Sequence, residues 1–319
     1  METVYITQEN GILHRCEEHL ILKQNGRNIG DIPLLNAKTL VVMAGVQITS
    51  QAIDLLTEKN IDVIYMSKGG KIKYRISAQS GGGAIVRLAQ HSAFMNGKTK
   101  LSIAKAITRA KILNQKHLVD KYRSYYSLTE YNKAISDIMS FQEKLDSAET
   151  LNEIMGIEGI CARVYWDCFK RLLKYPSFTR RDYRPAPDYV NSALNFGYAF
   201  LANEITTQLY IQQFDIEIGF LHSIHYGRNS LTLDIMEEFR SPFVDGWLLG
   251  LFNRRILKEE HFKGKKEGFH LTDDGFEKFC SLYHDHIENG DWRNKFKMQA
   301  ENLKKAVMAE GEYSPFIYE

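Results

Sequence analysis

The chain is short of several things, and each shortage excludes something. Among 319 residues there are four cysteines, Cys16, Cys161, Cys168 and Cys280, and no C-x-x-C pair. A zinc ribbon and a disulfide framework are therefore not expected, and so sparse a set suits a reducing, cytoplasmic setting. No run approaches the ~18 apolar residues of a membrane span. The first ten residues, METVYITQEN, are polar from the second and do not read as a secretory signal. Neither charge sign dominates: 41 Lys and Arg face 39 Asp and Glu, a net charge of +2. That excludes a histone-like polycation but not a nucleic-acid binder, because clustering matters more than the sum. There is no G-x-x-x-x-G-K-[ST] loop, no G-x-G-x-x-G after a strand and no G-x-S-x-G elbow, so kinase, dehydrogenase and serine-hydrolase readings lose their main support.

What is present is ordinary globular material, 44% hydrophobic and 25% charged. The length exceeds twice the ~150-residue domain prior, so two domains are expected. Residues 1–78 read as short β runs around turn signals. The run His19-Leu20-Ile21-Leu22-Lys23 leads into Asn25-Gly26, a pair that tolerates positive φ and so marks a hairpin. One helix interrupts the strands over Thr49–Lys59, with Thr49 or Ser50 as N-cap and Asn60 as its stop. Gly81-Gly82-Gly83 marks a change, and residues 79–95 read as a linker. Beyond it the period becomes helical, with further segments near 128–145, 148–174, 188–213, 230–258, 272–287 and 293–309. The fold class is α+β: a small β-rich N-terminal domain, then an all-α domain over 96–319.

Three segments carry chemistry. A stripe at three- and four-residue spacing runs Leu151, Ile154, Glu158, Cys161, Tyr165, Cys168, Leu172. It places a carboxylate on a core-facing surface, where it must be paired, hydrogen-bonded or metal-bound. Gly156 and Gly159 flank it; two helix-interior glycines need a reason, and close approach by a backbone or ligand is one. A helix that begins near Glu158 and leaves it solvated would fit the residues equally well. The second segment is Gly219-Phe220-Leu221-His222, followed by Gly227-Arg228-Asn229, with Ser230 as N-cap of a helix on which Asp234 and Glu237 share a face. Oxygen donors with one imidazole suit Mg²⁺ or Mn²⁺ better than zinc. The pairs His222/His225 and His284/His286 are weak zinc signals without an H-E-x-x-H helix. Third, basic residues cluster in two runs. Lys98, Lys100, Lys105, Arg109, Lys111, Lys116, Lys121 and Arg123 face only Asp120; Arg163, Lys170, Arg171, Lys174, Arg180, Arg181 and Arg184 interleave with Tyr165, Trp166, Phe169, Tyr175, Phe178 and Tyr183. Either run alone reads as a solvated helix face; together they favour nucleic acid.

Met155-Gly156-Ile157-Glu158-Gly159, with Ala162-Arg163 and Tyr165 after it, resembles the glutamate motif of the first CRISPR-associated (Cas-one) protein family. Gly219-Phe220-Leu221-His222 is similar to its histidine motif. Gly227-Arg228-x-Ser230-Leu231 with Asp234-x-x-Glu237-x-Phe239-Arg240 is similar to its third. Arg184-Pro185, Pro187-Asp188, Val190-Asn191 and Phe196-Gly197-Tyr198 match the stretch between, and the β-rich start with Ile32-Pro33-Leu34 fits as well. The resemblance covers nearly the whole chain.

It implies a metal-dependent DNA endonuclease and integrase that inserts protospacer DNA into a CRISPR array by attack of a 3′-hydroxyl on a phosphodiester. Residue by residue, it places metal ligands and catalytic residues at Glu158, His222 and Glu237, with Asp234 as an added acidic position. Arg163, Arg228 and Tyr165 are further motif positions; Tyr165 would contact DNA near the cut, although a buried core tyrosine remains equally open. The implied cofactor is Mg²⁺ or Mn²⁺. The implied partners are DNA (protospacer and repeat), a second copy of the chain through the N-terminal domain, and a small Cas-two protein. No segment reads as a docking motif for that partner; Lys263–Lys266 and the tail Tyr313–Glu319 are candidates only by expected exposure. The alternatives are a non-catalytic nucleic-acid-binding scaffold with these carboxylates in structural ion pairs, and a small-molecule metal hydrolase.

Overall fold

The computed structural model of the chain describes residues 3–6, 8, 10–37, 39–43, 45–66, 72–76, 83–126, 129–174, 178–183, 185–266, 268–309 and 311–318. It divides into two compact units, Met1–Ile85 and Val86–Glu319.

The first unit is built on alternation. Strands β1 (Thr3–Ile6), β2 (Gly11–Cys16), β3 (His19–Gln24), β4 (Arg27–Ile32), β5 (Thr39–Met43), β6 (Gln47–Ile48), β7 (Asp62–Met66) and β8 (Ile72–Ile76) form two four-stranded sheets around helix α1 (Ser50–Glu58). One sheet runs β4-β3-β2-β6, the other β1-β5-β7-β8. In β2 and β3, Leu13, Leu20 and Leu22 point to the core while their neighbours face outward. The β3–β4 turn is Asn25-Gly26, with φ of 49° and 76°; two successive positive values give the turn whose twist matches a tight hairpin. Thr49 caps α1, its hydroxyl accepting from the Ala52 amide at 3.3 Å, and Asn60 follows the helix at φ 55°. Ala52, Leu55 and Leu56 fill the space against Leu40, Val42 and Val63.

The second unit holds α2 (Gly83–Met95), α3 (Gly97–Tyr126), α4 (Asn132–Glu143), α5 (Leu151–Leu172), α6 (Tyr189–Ile211), α7 (Ser230–Met236), α8 (Gly246–Asn253), strands β9 (Phe262–Lys265) and β10 (Gly268–Leu271), α9 (Asp273–Asn289) and α10 (Trp292–Ala309). α6 is buried along most of its length, from Val190 through Leu201 to Leu209, with α7 and α10 against it, while α3 and α4 pack on α5.

Three expectations are corrected. The segment 79–95 is not a plain linker: α2 covers Gly83–Met95, with Val86, Gln90 and Ala93 buried at helical spacing, while Gly81 and Gly82 lie outside the described residues. The segment 230–258 is not one helix. Pro242 has no N–H to continue the ladder, and a wide π turn over Arg240–Asp245 separates α7 from α8. The helical unit also carries an antiparallel hairpin, β9–β10, in which Phe262, Phe269 and Leu271 are at least partly buried. Among the described residues no helix is long and apolar enough to cross a membrane.

Candidate metal and DNA site

The site lies in the helical unit, on three pieces of chain. α5 brings the first. Thr150 caps it, accepting from the Glu153 amide at 3.3 Å. Ile154, Cys161, Tyr165, Cys168 and Leu172 then bury the stripe read from the sequence. Glu158 rides on the edge of that stripe, its side chain 26% exposed. Gly156 and Gly159 are exposed, and apart from the adjoining helix backbone no heavy atom of the described residues lies within 4 Å of where their Cβ atoms would be, so no close approach among those residues explains them.

The second piece is the loop from Phe214 to Asn229. Gln90 of α2 holds its start: Nε2 donates to the Asp215 and Ile218 carbonyls at 2.8 Å each, and Oε1 accepts from the Asp215 amide at 2.9 Å. Asp234 of α7 holds its middle. This carboxylate is fully buried and accepts from the amides of Phe220 (2.5 Å), Leu221 (2.9 Å) and His222 (2.8 Å). Its Oδ1 also lies 2.7 Å from His222 Nδ1. A carboxylate accepts from Nδ1–H, so in the neutral ring the lone pair falls on Nε2. Gly219 is required at this crossing, because a Cβ would stand 2.7 Å from Asp234 Oδ2 and 2.9 Å from the Ser230 carbonyl carbon. Ser230 is not the N-cap of α7. That position falls on Asn229, and the Ser230 hydroxyl donates to the Ser223 carbonyl at 2.9 Å, pinning the loop instead.

The third piece is the end of α7, where Glu237 is buried. Its Oε1 meets Arg240 Nε at 3.0 Å and its Oε2 meets Lys111 Nζ at 2.6 Å. Burial works against the charge, but Arg240, Lys111 and then His222 outweigh it and hold the carboxyl down at about 2. Lys111, from α3, also reaches Glu158 Oε1 at 2.5 Å. Burial disfavours its charge, yet Glu237 and Glu158 together raise its pKa. Glu158 and Glu237, 79 positions apart in sequence, thus converge on one ammonium, with His222 close enough to act electrostatically on Glu237. Among the described residues no three His, Cys, Asp or Glu side chains close around a single point at ligand distance. The donors are those of a hard-cation site, and the cation between the carboxylates is Lys111.

Behind the site a second buried network fixes the π turn. Asp245 accepts from Tyr165 at 2.7 Å and Tyr198 at 2.5 Å, and burial against those two hydrogen bonds leaves its carboxyl raised to about 6. The Arg240 guanidinium lies over the Tyr198 ring, 4.7 Å from its centre. Tyr165 is fully buried in this network and is not placed to touch DNA. The tail is equally engaged. Glu238 accepts from Tyr313 Oη at 2.6 Å and the Phe316 amide at 2.7 Å, and Asn114 of α3 accepts from the Tyr318 amide at 2.8 Å. Tyr313 is buried, so the tail from there to Tyr318 is docked rather than free.

Of the remaining sequence positions, Arg163 is exposed on α5, five residues and so about 140° around the helix from Glu158. Arg228 is half-buried beside Gly227, which takes φ 69°. His225 is exposed with Nε2 3.1 Å from Ser223 Oγ, and His286 stacks flat on Trp247; neither joins the site. The first basic run is largely paired within the chain. Lys105 donates to the Asp146 carbonyl, Arg109 pairs with the Asp146 carboxylate, Lys116 and Arg123 pair with Asp120, and Lys111 serves the two glutamates. Lys98 and Lys121 are exposed. In the second run Arg163, Lys170, Arg171 and Lys174 are exposed; Arg184 and Tyr175 lie outside the described residues.

Fold and cluster together define a two-unit α+β protein whose helical part gathers two glutamates on one lysine near a histidine. The chain belongs to the Cas1 family: the family model described as CRISPR associated protein Cas1 matches residues 4–285. The CRISPR-associated endonuclease Cas1 1 of Thermus thermophilus is 26% identical over 323 residues, covering 98% of each chain. That of Thermotoga maritima is 26% identical and covers 97% of this chain and 98% of its own. Among solved structures, a Cas1 protein from Thermotoga maritima matches at TM-score 0.78 and 25% identity over the full length of both chains. A casposase bound to its integration product shares the fold at TM-score 0.78 and 21% identity.

Proposed function

We propose that the chain is a metal-dependent DNA endonuclease and integrase of CRISPR adaptation, with Glu158, His222 and Glu237 as the ligands of one divalent ion. The observation that supports it is the convergence of two glutamates on a single cation beside an imidazole whose Nε2 is left free by the Asp234 hydrogen bond. Carboxylate oxygens with one imidazole nitrogen suit Mg²⁺ or Mn²⁺. Bound there, such an ion supplies a Lewis acid for the phosphodiester and for the attacking oxygen.

The chain's own groups do the rest. Asp234 keeps His222 in the tautomer that offers a lone pair, and its place is behind the imidazole rather than on the ion. Arg240 holds one oxygen of Glu237 and leaves the other for the site. Exposed Lys and Arg side chains bind DNA phosphates and orient the strand. In integration the 3′-hydroxyl of a protospacer attacks a repeat-end phosphodiester, forming one P–O bond as the repeat's 3′-oxygen leaves. In hydrolysis water takes the place of the hydroxyl. The partners in this reading are protospacer and repeat DNA, a second copy of the chain through its β-rich unit, and a small Cas2 protein, as in the Cas6-RT-Cas1–Cas2 complex whose subunit shares the fold at TM-score 0.79 and 19% identity.

The ion pairs at Lys111 and Arg240 also suit a non-catalytic DNA-binding scaffold. Supercoiled plasmid incubated with Mn²⁺, with and without EDTA, separates the two. Nicking that requires metal and is lost in Glu158→Ala and His222→Ala is expected. DNA binding without metal-dependent nicking would favour the scaffold.

A further inference from the structure

We propose that Lys111 is an internal counter-cation: in the metal-free protein its ammonium takes the place of the divalent ion, and the ion must displace it to bind. The inference rests on Glu158 and Glu237 being ligands, and it assigns a role to a residue outside that set.

The geometry leaves little choice. Lys111 Nζ lies 2.5 Å from Glu158 Oε1 and 2.6 Å from Glu237 Oε2, with only 13% of its side chain exposed. A Mg²⁺ or Mn²⁺ ion sits ~2.1 Å from carboxylate oxygens. An ion bound by these same two oxygens would overlap an ammonium at such distances, so the two cations exclude one another. Two carboxylates that converge on one point, one of them buried, also repel each other unless a positive charge lies between them. Lys111 supplies it, and Arg240 cannot substitute because it serves the other oxygen of Glu237. Lysine is well suited to this role, because a compact charge on a flexible four-carbon stem can withdraw without moving the helix that carries it. The consequence is a site that stays assembled when empty and binds metal more weakly than its donors alone would allow.

The test is calorimetric titration of Mn²⁺ into the full-length chain, together with thermal melts in EDTA and in Mn²⁺. Wild type is compared with Lys111→Met, Lys111→Gln and Glu158→Gln. Both Lys111 variants are expected to bind Mn²⁺ roughly tenfold tighter than wild type. In EDTA they should melt roughly 3 °C or more lower, and Mn²⁺ should recover the loss. Glu158→Gln should weaken Mn²⁺ binding. Unchanged or weaker Mn²⁺ affinity in either folded Lys111 variant, with Glu158→Gln still impaired, would overturn the counter-cation role and leave the ligand assignment standing. Affinity insensitive to Glu158→Gln as well would overturn both.

Discussion

The two units bury different things. Among the described residues of the β-rich unit the buried side chains are almost all apolar, and Thr39 and Asp62 are the polar ones. The helical unit buries Asp234, Glu237, Glu238, Asp245, Asn114 and Asn191 among its apolar contacts. Burial of polar groups is costly unless each finds a partner, and here each does, through hydrogen bonds or ion pairs, several of which cross long stretches of sequence. One unit is therefore held mainly by hydrophobic alternation and tight turns. The other is held by a polar network that also shapes the site, so its stability and its chemistry depend on the same side chains.

That contrast can be broken or sharpened by substitution. The largest effect belongs to the proposed ligands: Glu158→Ala and His222→Ala should lower metal-dependent plasmid nicking by more than roughly 100-fold, beyond what outer-sphere changes give, while circular dichroism stays that of the parent. Retained cleavage by either folded variant would detach the chemistry from this network.

Next come the supports. Asp234→Asn removes the charged acceptor behind His222, and Gly219→Ala drives a Cβ into Asp234 and the Ser230 backbone. Each should weaken Mn²⁺ binding by roughly 10–100-fold, measured by calorimetry.

A pH effect follows from His286. Burial, opposed by its hydrogen bond to the Phe243 carbonyl and aided by Lys295, lowers its pKa to about 4 from an ordinary 6.5. Between those values the unfolded chain takes up a proton that the folded chain does not, so this group's contribution to stability falls as pH drops from 6.5 towards 4. Urea titrations from pH 7 to 4 should show His286→Gln losing part of that slope, a difference of order 1–3 kcal/mol at most. Parallel slopes would place the acid sensitivity elsewhere.

The smallest effect should come from the β-rich unit. Gly26→Ala strains a residue at φ 76° and should cost about 1 kcal/mol, with Mn²⁺ affinity and nicking per folded molecule unchanged. A matching loss of activity would mean that the two units are less separate in function than in composition.

Local chemistry was legible where neighbours in sequence decide the structure. Asn25-Gly26, the Thr49 cap and the α5 stripe all follow from short-range rules, and the stripe singled out Glu158 because a carboxylate interrupts an apolar face. The π turn at Pro242 was missed because the flanking residues keep helical periodicity on both sides. Lys111 reads in sequence as one more member of a basic run, since nothing nearby shows that α3 turns it towards Glu158, 47 positions away. Gln90 and Asn114 were equally invisible, their partners lying more than 120 positions off. The tail looked exposed because its aromatic residues find their acceptors only in the folded helical unit.

The most direct test of one divalent site built by Glu158, His222 and Glu237 is pulsed electron paramagnetic resonance of the Mn²⁺-loaded chain. The expected spectrum shows nitrogen coupling from a single imidazole, present in the parent and absent in His222→Ala. Bound Mn²⁺ with no nitrogen coupling, or coupling that persists in His222→Ala, would contradict the assignment.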